Sequence, residues 1–125
     1  MKAISTKKAP GVIGPYSQAI QAGDFVYTSG QLGLDPATGT FLERGIKEQT
    51  RQSLSNVKAI LEETDLSMAN VVKTTVFLAD MGDFAEMNSV YAEFFTEPYP
   101  ARSAVAVKTL PKNALVEIEV VAVKK

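Results

Sequence analysis

The chain has no cysteine, no histidine and no tryptophan in 125 residues, and each absence removes a class of chemistry. Without Cys there is no disulfide, no thiolate nucleophile and no Cys-based zinc site, and a reducing compartment is permitted. Without His there is no Ser-His-Asp or Cys-His triad, and no imidazole base or metal ligand. Acid–base groups must then come from Glu, Asp, Tyr, Lys or water, and any metal site would be all-oxygen. An excess of one charge is missing too: 13 Lys and Arg face 14 Asp and Glu, a formal charge of -1, so no overall field draws in nucleic acid or an anionic membrane. No stretch approaches the roughly 20 apolar residues of a membrane span. The opening MKAISTKK lacks the apolar run of a secretory signal, and a cytoplasmic protein is expected. What remains, 46% hydrophobic and 22% charged, is the balance of one soluble domain over residues 1–125.

Gly and Pro are scattered singly, without linker or repeat. Residues 9–16 (APGVIGPY) carry two Pro and two Gly and read as a structured loop. Gln18–Ala22 and Phe25–Ser29 flank Gly23-Asp24, a pair suited to the positive-φ positions of a two-residue hairpin turn. Asp35–Gly39 is a further turn. From Ile46 to Thr64 the residues Ile46, Leu54, Val57, Ile60 and Leu61 share one helical stripe. Val71–Leu78 is a β-branched strand. Asp83 and Glu86 form a D-x-x-E capping pattern ahead of a second helix carrying Phe84, Met87, Val90, Tyr91, Phe94 and Phe95. Pro98 and Pro100 end it, and strands Ser103–Val107 and Leu115–Val123 follow, divided by Leu110–Asn113. The order is ββαβαββ.

In the last strand, alternation places Val116, Ile118, Val120 and Ala122 on one face and Leu115, Glu117, Glu119, Val121 and Val123 on the other. Two helices cover only one side of one sheet. The second side, with Glu117 and Glu119, is therefore expected to bury against another subunit, in an oligomer whose order this argument leaves open.

Arg102, one of only three Arg, follows Tyr-Pro-Ala at the mouth of a small apolar strand. It can grip a carboxylate through two parallel hydrogen bonds, or lie in solvent or in an ion pair with a neighbouring Glu. Glu117 is costly on a buried face unless paired or used. It serves either as a general base on water or as half of a structural pair with Arg102 or a Lys across the interface. Glu119 reads as structural, since two carboxylates on one face repel. The Tyr16 and Ser29 hydroxyls either bind substrate or water or satisfy nearby backbone. Asn88 either donates to a ligand or marks a helix boundary. Ser29–Gly33 (SGQLG) is no phosphate loop, because no Lys-Ser/Thr follows and the next helix begins well downstream.

The segments Ile13–Ala19 (IGPYSQA), Tyr27–Leu32 (YTSGQL), Gln52–Leu61 (QSLSNVKAIL), Val72–Leu78 (VKTTVFL), Asn88 with Tyr91, Phe94 and Phe95, Pro100–Ser103 (PARS) and Val116–Ala122 (VEIEVVA) stand in order over nearly the whole chain. Together they resemble the RidA/YjgF family of reactive intermediate deaminases. The resemblance implies an α+β protomer of the chorismate-mutase-like, bacillus type, a homotrimer, and clefts between adjacent subunits. It implies hydrolysis of 2-imino acids such as 2-iminopropanoate and 2-iminobutanoate, and of their enamine tautomers, to 2-keto acids and ammonia, with no cofactor. Arg102 matches the residue that binds the substrate carboxylate and Glu117 the one that orients or activates water. Tyr16, Ser29, Gly30 and Asn88 match residues lining the same cleft. Many relatives carry Cys where this chain has Ala104; a contact made through the backbone there survives the change, whereas a role for the thiol does not. The chemistry suits the missing residues, because an iminium carbon is already electrophilic and needs only a held carboxylate, a positioned water and a proton acceptor. Two other readings stand beside it. One is a regulatory trimer that holds a keto acid without turnover. The other, RNA cleavage reported for some relatives, fits poorly with the charge and the absence of His.

Overall fold

A computed structural model describes residues 1–125. Seven strands and two helices follow one another as β1 (Lys2–Ile4), β2 (Ala19–Ala22), β3 (Phe25–Thr28), β4 (Gln31–Leu32), α1 (Ile46–Glu62), β5 (Val71–Leu78), α2 (Phe84–Tyr91), β6 (Ala101–Ala106) and β7 (Val116–Val123). One mixed sheet runs β1-β2-β3-β7-β5-β6, with β4 also on β7. β6 lies parallel to β5, and every other pairing is antiparallel. No helix is long and apolar enough to cross a membrane.

The expected order gains two strands. β1 has three residues and β4 two, too short for alternation to show; tertiary pairing alone makes them strands. β3 and β4 are one neighbour of β7 broken at Ser29-Gly30: β3 pairs with residues 121–123 and β4 with residues 117–118. At the break the Thr28 hydroxyl takes over from the backbone, accepting the Val120 N–H at 3.0 Å.

The stripe of α1 packs as its period predicts, with Leu54, Val57, Ile60 and Leu61 wholly buried against Val76, Val116 and Ile118 of the sheet. Beside that stripe runs a polar edge, also buried: Gln49, Thr50, Ser53 and Asn56. Ser53 Oγ donates to the Gln31 carbonyl at 2.6 Å, and Asn56 Nδ2 donates to the Leu32 and Leu34 carbonyls at 3.1 and 3.0 Å. Apolar periodicity could not show this edge, since polar residues on a helix ordinarily face water.

Four local expectations are corrected. α2 stops at Tyr91 rather than running on through Phe94 and Phe95, and Asp83 makes no side-chain cap; Asp80 instead caps the preceding single turn, accepting from Gly82 N at 2.7 Å. β6 begins at Ala101, opposite Lys73, so Arg102 lies within the strand and not at its mouth. In the hairpin turn, Gly23 takes positive φ and Asp24 does not, the pattern of a II′ turn.

Both helices lie on one face of the sheet. β7 alternates buried and half-exposed residues along its length, and Glu117, Glu119 and Val121 point to the uncovered face. There they join Phe25, Tyr27 and Val105, which are 42%, 48% and 47% exposed.

Candidate active site

The predicted residues fall into two groups. The first surrounds a cavity of about 890 Å³ whose walls include Val12, Ile13, Tyr16, Ser29, Gly30, Leu32, Lys112 and Glu117. Its loop wall is fixed by Gln18, 4% exposed, whose side chain donates to the Thr6 and Pro10 carbonyls at 3.0 and 2.9 Å and accepts from Thr6 N at 2.7 Å. That clamp orders a stretch that Gly and Pro keep out of regular structure. The Ser29 hydroxyl is engaged in structure, donating to the Ser17 carbonyl at 2.6 Å. Gly30 makes room for the Glu117 carboxyl: a Cβ there would lie 2.7 Å from Glu117 Cδ and nearer still to its Oε2, so a larger residue would displace the carboxyl. Half-burial in this cavity raises the Glu117 pKa above the ordinary carboxylate value, and the neighbouring Glu119 carboxylate adds to the rise.

The second group lies around a hollow of about 670 Å³ bounded by Ala85, Asn88, Ser89, Tyr91, Tyr99, Pro100 and Arg102. The Arg102 guanidinium stacks over two α2 rings, 4.7 Å from the Tyr91 centroid and 5.4 Å from that of Phe84. Its Nη1 donates to Asn88 Oδ1 at 2.6 Å. Tyr91 is held from behind by fully buried Thr74, oxygen to oxygen 2.8 Å. Burial raises the Tyr91 pKa; the Thr74 hydrogen bond and the Arg102 charge oppose that rise. A planar cation stacked on two rings and pinned by one amide keeps its other N–H groups free for a planar anion.

The two groups lie on opposite faces of the sheet. Arg102 is in register with Thr74 on the helix side, whereas Glu117 is opposite Phe77 on the uncovered side. A structural Arg102–Glu117 pair within the chain is thereby excluded, and the one ion pair present joins Arg51 to Glu93 at 3.1 Å. Residues 6–124 match the family described as Endoribonuclease L-PSP. A 2-iminobutanoate/2-iminopropanoate deaminase of Bos taurus is 49% identical over 98% of this chain and 90% of its own length. A RutC family protein of Pyrococcus horikoshii is 56% identical over 98% of this chain and 97% of its own. The crystal structure of RidA from an Antarctic Psychrobacter superposes with a TM-score of 0.96 at 47% identity, covering 99% of this chain and all of that one. The chain belongs to the RidA/YjgF family.

Against the family's pattern, Tyr16, Ser29, Gly30 and Glu117 come together in one cavity, and Asn88 and Arg102 in the other hollow. Ala104 joins neither. It shares Arg102's face, and its side chain packs against the core. Its backbone lies on the edge strand β6. Sequence reasoning missed Thr74 and Tyr91 as the support of Arg102, Gln18 as the loop clamp, and the polar edge of α1. For Thr74 the signal was a polar residue within a largely β-branched and apolar strand, which is costly to bury without a partner; Gln18 and the α1 edge sit among polar neighbours and gave no such signal.

Proposed function

We propose that the protein hydrolyses short 2-imino acids, such as 2-iminopropanoate and 2-iminobutanoate, to 2-keto acids and ammonia without a cofactor. Each site is assembled from the Arg102 hollow of one subunit and the Glu117 cavity of its neighbour, in a cytoplasmic homotrimer. The observation that carries this reading is that both charges are half-buried without a counter-charge. Arg102 bonds only to the neutral Asn88, and Glu117 has no cation within ion-pair reach. A desolvated charge without a partner is expensive, so a ligand that completes both gains from each. The apolar sheet face around Glu117 supports the subunit contact, since a patch of this kind ordinarily marks an interface.

In this scheme the substrate carboxylate lies on the Arg102 fork and the imine carbon faces Glu117. Glu117 takes a proton from water as the oxygen attacks that carbon, forming a tetrahedral carbinolamine. It then returns the proton to nitrogen. As the C–N bond breaks, the carbinolamine hydroxyl gives up its proton, which Glu117 passes to the departing nitrogen; ammonia leaves and the C=O of the keto acid forms, so the imine and one water account for every atom of the products. A raised pKa makes Glu117 a better base than an ordinary carboxylate while leaving it ionised above that value.

Coupling a serine or threonine dehydratase to this protein tests the scheme. Keto-acid appearance is expected to accelerate, and Arg102→Ala to lower kcat/KM by about a hundredfold or more, the cost of removing one side of a buried charge-assisted contact. An unchanged Arg102→Ala variant overturns the carboxylate assignment. A second reading, a trimer that binds a keto or amino acid without turnover, draws on the Escherichia coli relative TdcF, 46% identical, solved with bound serine. Saturation by 2-ketobutanoate with no effect on imine decay would favour it. RNA cleavage is disfavoured by a net charge of -1, which offers no field for phosphates.

A further inference from the structure

We infer that the buried polar edge of α1 is a positioning device for Glu117: Gln49, Ser53 and Asn56 hold both walls of its cavity to one rigid helix. The inference rests on the reading of Glu117 as the base. β4 has only two residue pairs with β7, Gln31 with Ile118 and Leu32 with Glu117. Two pairs are a weak hold for the segment that presses Gly30 against the carboxylate. The helix supplies the rest. Ser53 binds the Gln31 carbonyl, and Asn56 binds the carbonyls of Leu32 and Leu34. Asn56 is itself oriented by Gln52, whose Nε2 donates to its Oδ1 at 2.8 Å.

The second wall is tied to the same helix. Gln49 Oε1 accepts from Leu115 N at 2.8 Å, two residues before Glu117, while its Nε2 donates to the Arg44 carbonyl at 3.3 Å. Gly33 lies directly on the helix backbone, where a Cβ would stand 2.5 Å from the Gln49 carbonyl oxygen. Positions 49, 53 and 56 share one helix face at fixed rise, so helix geometry reinforces the two-residue pairing that sets β4 against β7. Gln49, Ser53 and Asn56 are 2%, 0% and 0% exposed and reach no cavity wall themselves, which makes them positioning residues.

The test compares Ser53→Ala and Asn56→Ala with Arg51→Ala, on the exposed side of the same helix, as control. The Glu117 carboxyl is titrated by carbon-13 NMR and steady-state kinetics are measured on the full-length oligomer. The other charged and titratable groups near Glu117 are Tyr16 and Lys112 in its cavity, Glu119 on its strand, and Tyr27 and Lys73 on the neighbouring strands; none is altered. Loosening the wall admits water, so the Glu117 midpoint is expected to fall towards the ordinary carboxylate value in both variants. We expect kcat to drop about tenfold with KM held, because Arg102 lies on the other face. Ser53→Thr, which keeps the hydroxyl, restores both, and Arg51→Ala changes neither. If Asn56→Ala does not fold, Ser53→Ala decides alone. A folded Ser53→Ala with the wild-type Glu117 midpoint and kcat overturns the inference, whatever its melting temperature. Should the wild type turn over no imino acid, the proposed reaction fails, and the titration still decides the positioning role independently.

Discussion

Glu117 and Arg102 are both half-buried charges of one sheet, two strands apart, and their surroundings treat charge in opposite ways. Around Arg102 two ring faces and an amide oxygen favour the ion, and a Thr74–Tyr91 hydrogen bond keeps the nearer ring in place. Around Glu117 desolvation, and after it the Glu119 carboxylate, work against the ion. The contrast teaches a division of labour. A binding group is best held as a permanent ion in fixed orientation, whereas a base gains from an environment that makes its proton affinity high.

The largest expected effect that would sharpen this contrast is Glu117→Gln. It should lower kcat by about 10²–10⁴, the usual contribution of a general base, while 2-ketobutanoate still binds through Arg102, as isothermal titration would read. In the wild type the rate should be lost as pH falls through the Glu117 pKa, because the base must be deprotonated, and that limb should sit above the ordinary carboxylate range. The limb should vanish in Glu117→Gln. Mixing inactive Glu117→Gln and Arg102→Ala subunits by unfolding and refolding tests the two-subunit assembly directly. Random mixing should restore about a quarter of the sites, those drawing each intact half from a different subunit. No recovery would break the comparison at its root, since both halves would then have to act within one chain.

Smaller effects probe each half alone. Gly30→Ala should cost about tenfold in kcat by displacing the carboxyl, with little loss of stability, because Gly30 does not occupy the left-handed region. Thr74→Val leaves the Tyr91 hydroxyl buried without its partner, so unfolding by urea should reveal a loss of about 1–3 kcal/mol. A severalfold rise in KM with unchanged kcat should accompany it. A fall in kcat instead would mean that the Arg half shares in the chemistry.

Much of this was legible beforehand, for reasons that differ from element to element. The α1 stripe and the β7 alternation are repeats within a dozen residues or so, and local period suffices to reveal them. The D-x-x-E at Asp83 misled because a tight turn capped by Asp80 intervened and left Asp83 without cap geometry. β4 escaped because two residues carry no period. The polar edge of α1 escaped because its partners, Gln31 to Leu34 and Leu115, lie far from it in the chain.

The arrangement of the site marks the boundary most clearly. Composition alone excluded triads, thiolates and imidazole-bound metals, and motif order alone pointed to the family, Arg102 and Glu117. Alternation within β7 put Glu117 on the face away from Ile118, because side-chain direction along one strand is a local property. It could not say that Arg102 faces the other way. That relation depends on the register of β6 on β5 and of β5 on β7, pairings between residues tens of positions apart, and it came only with the folded sheet.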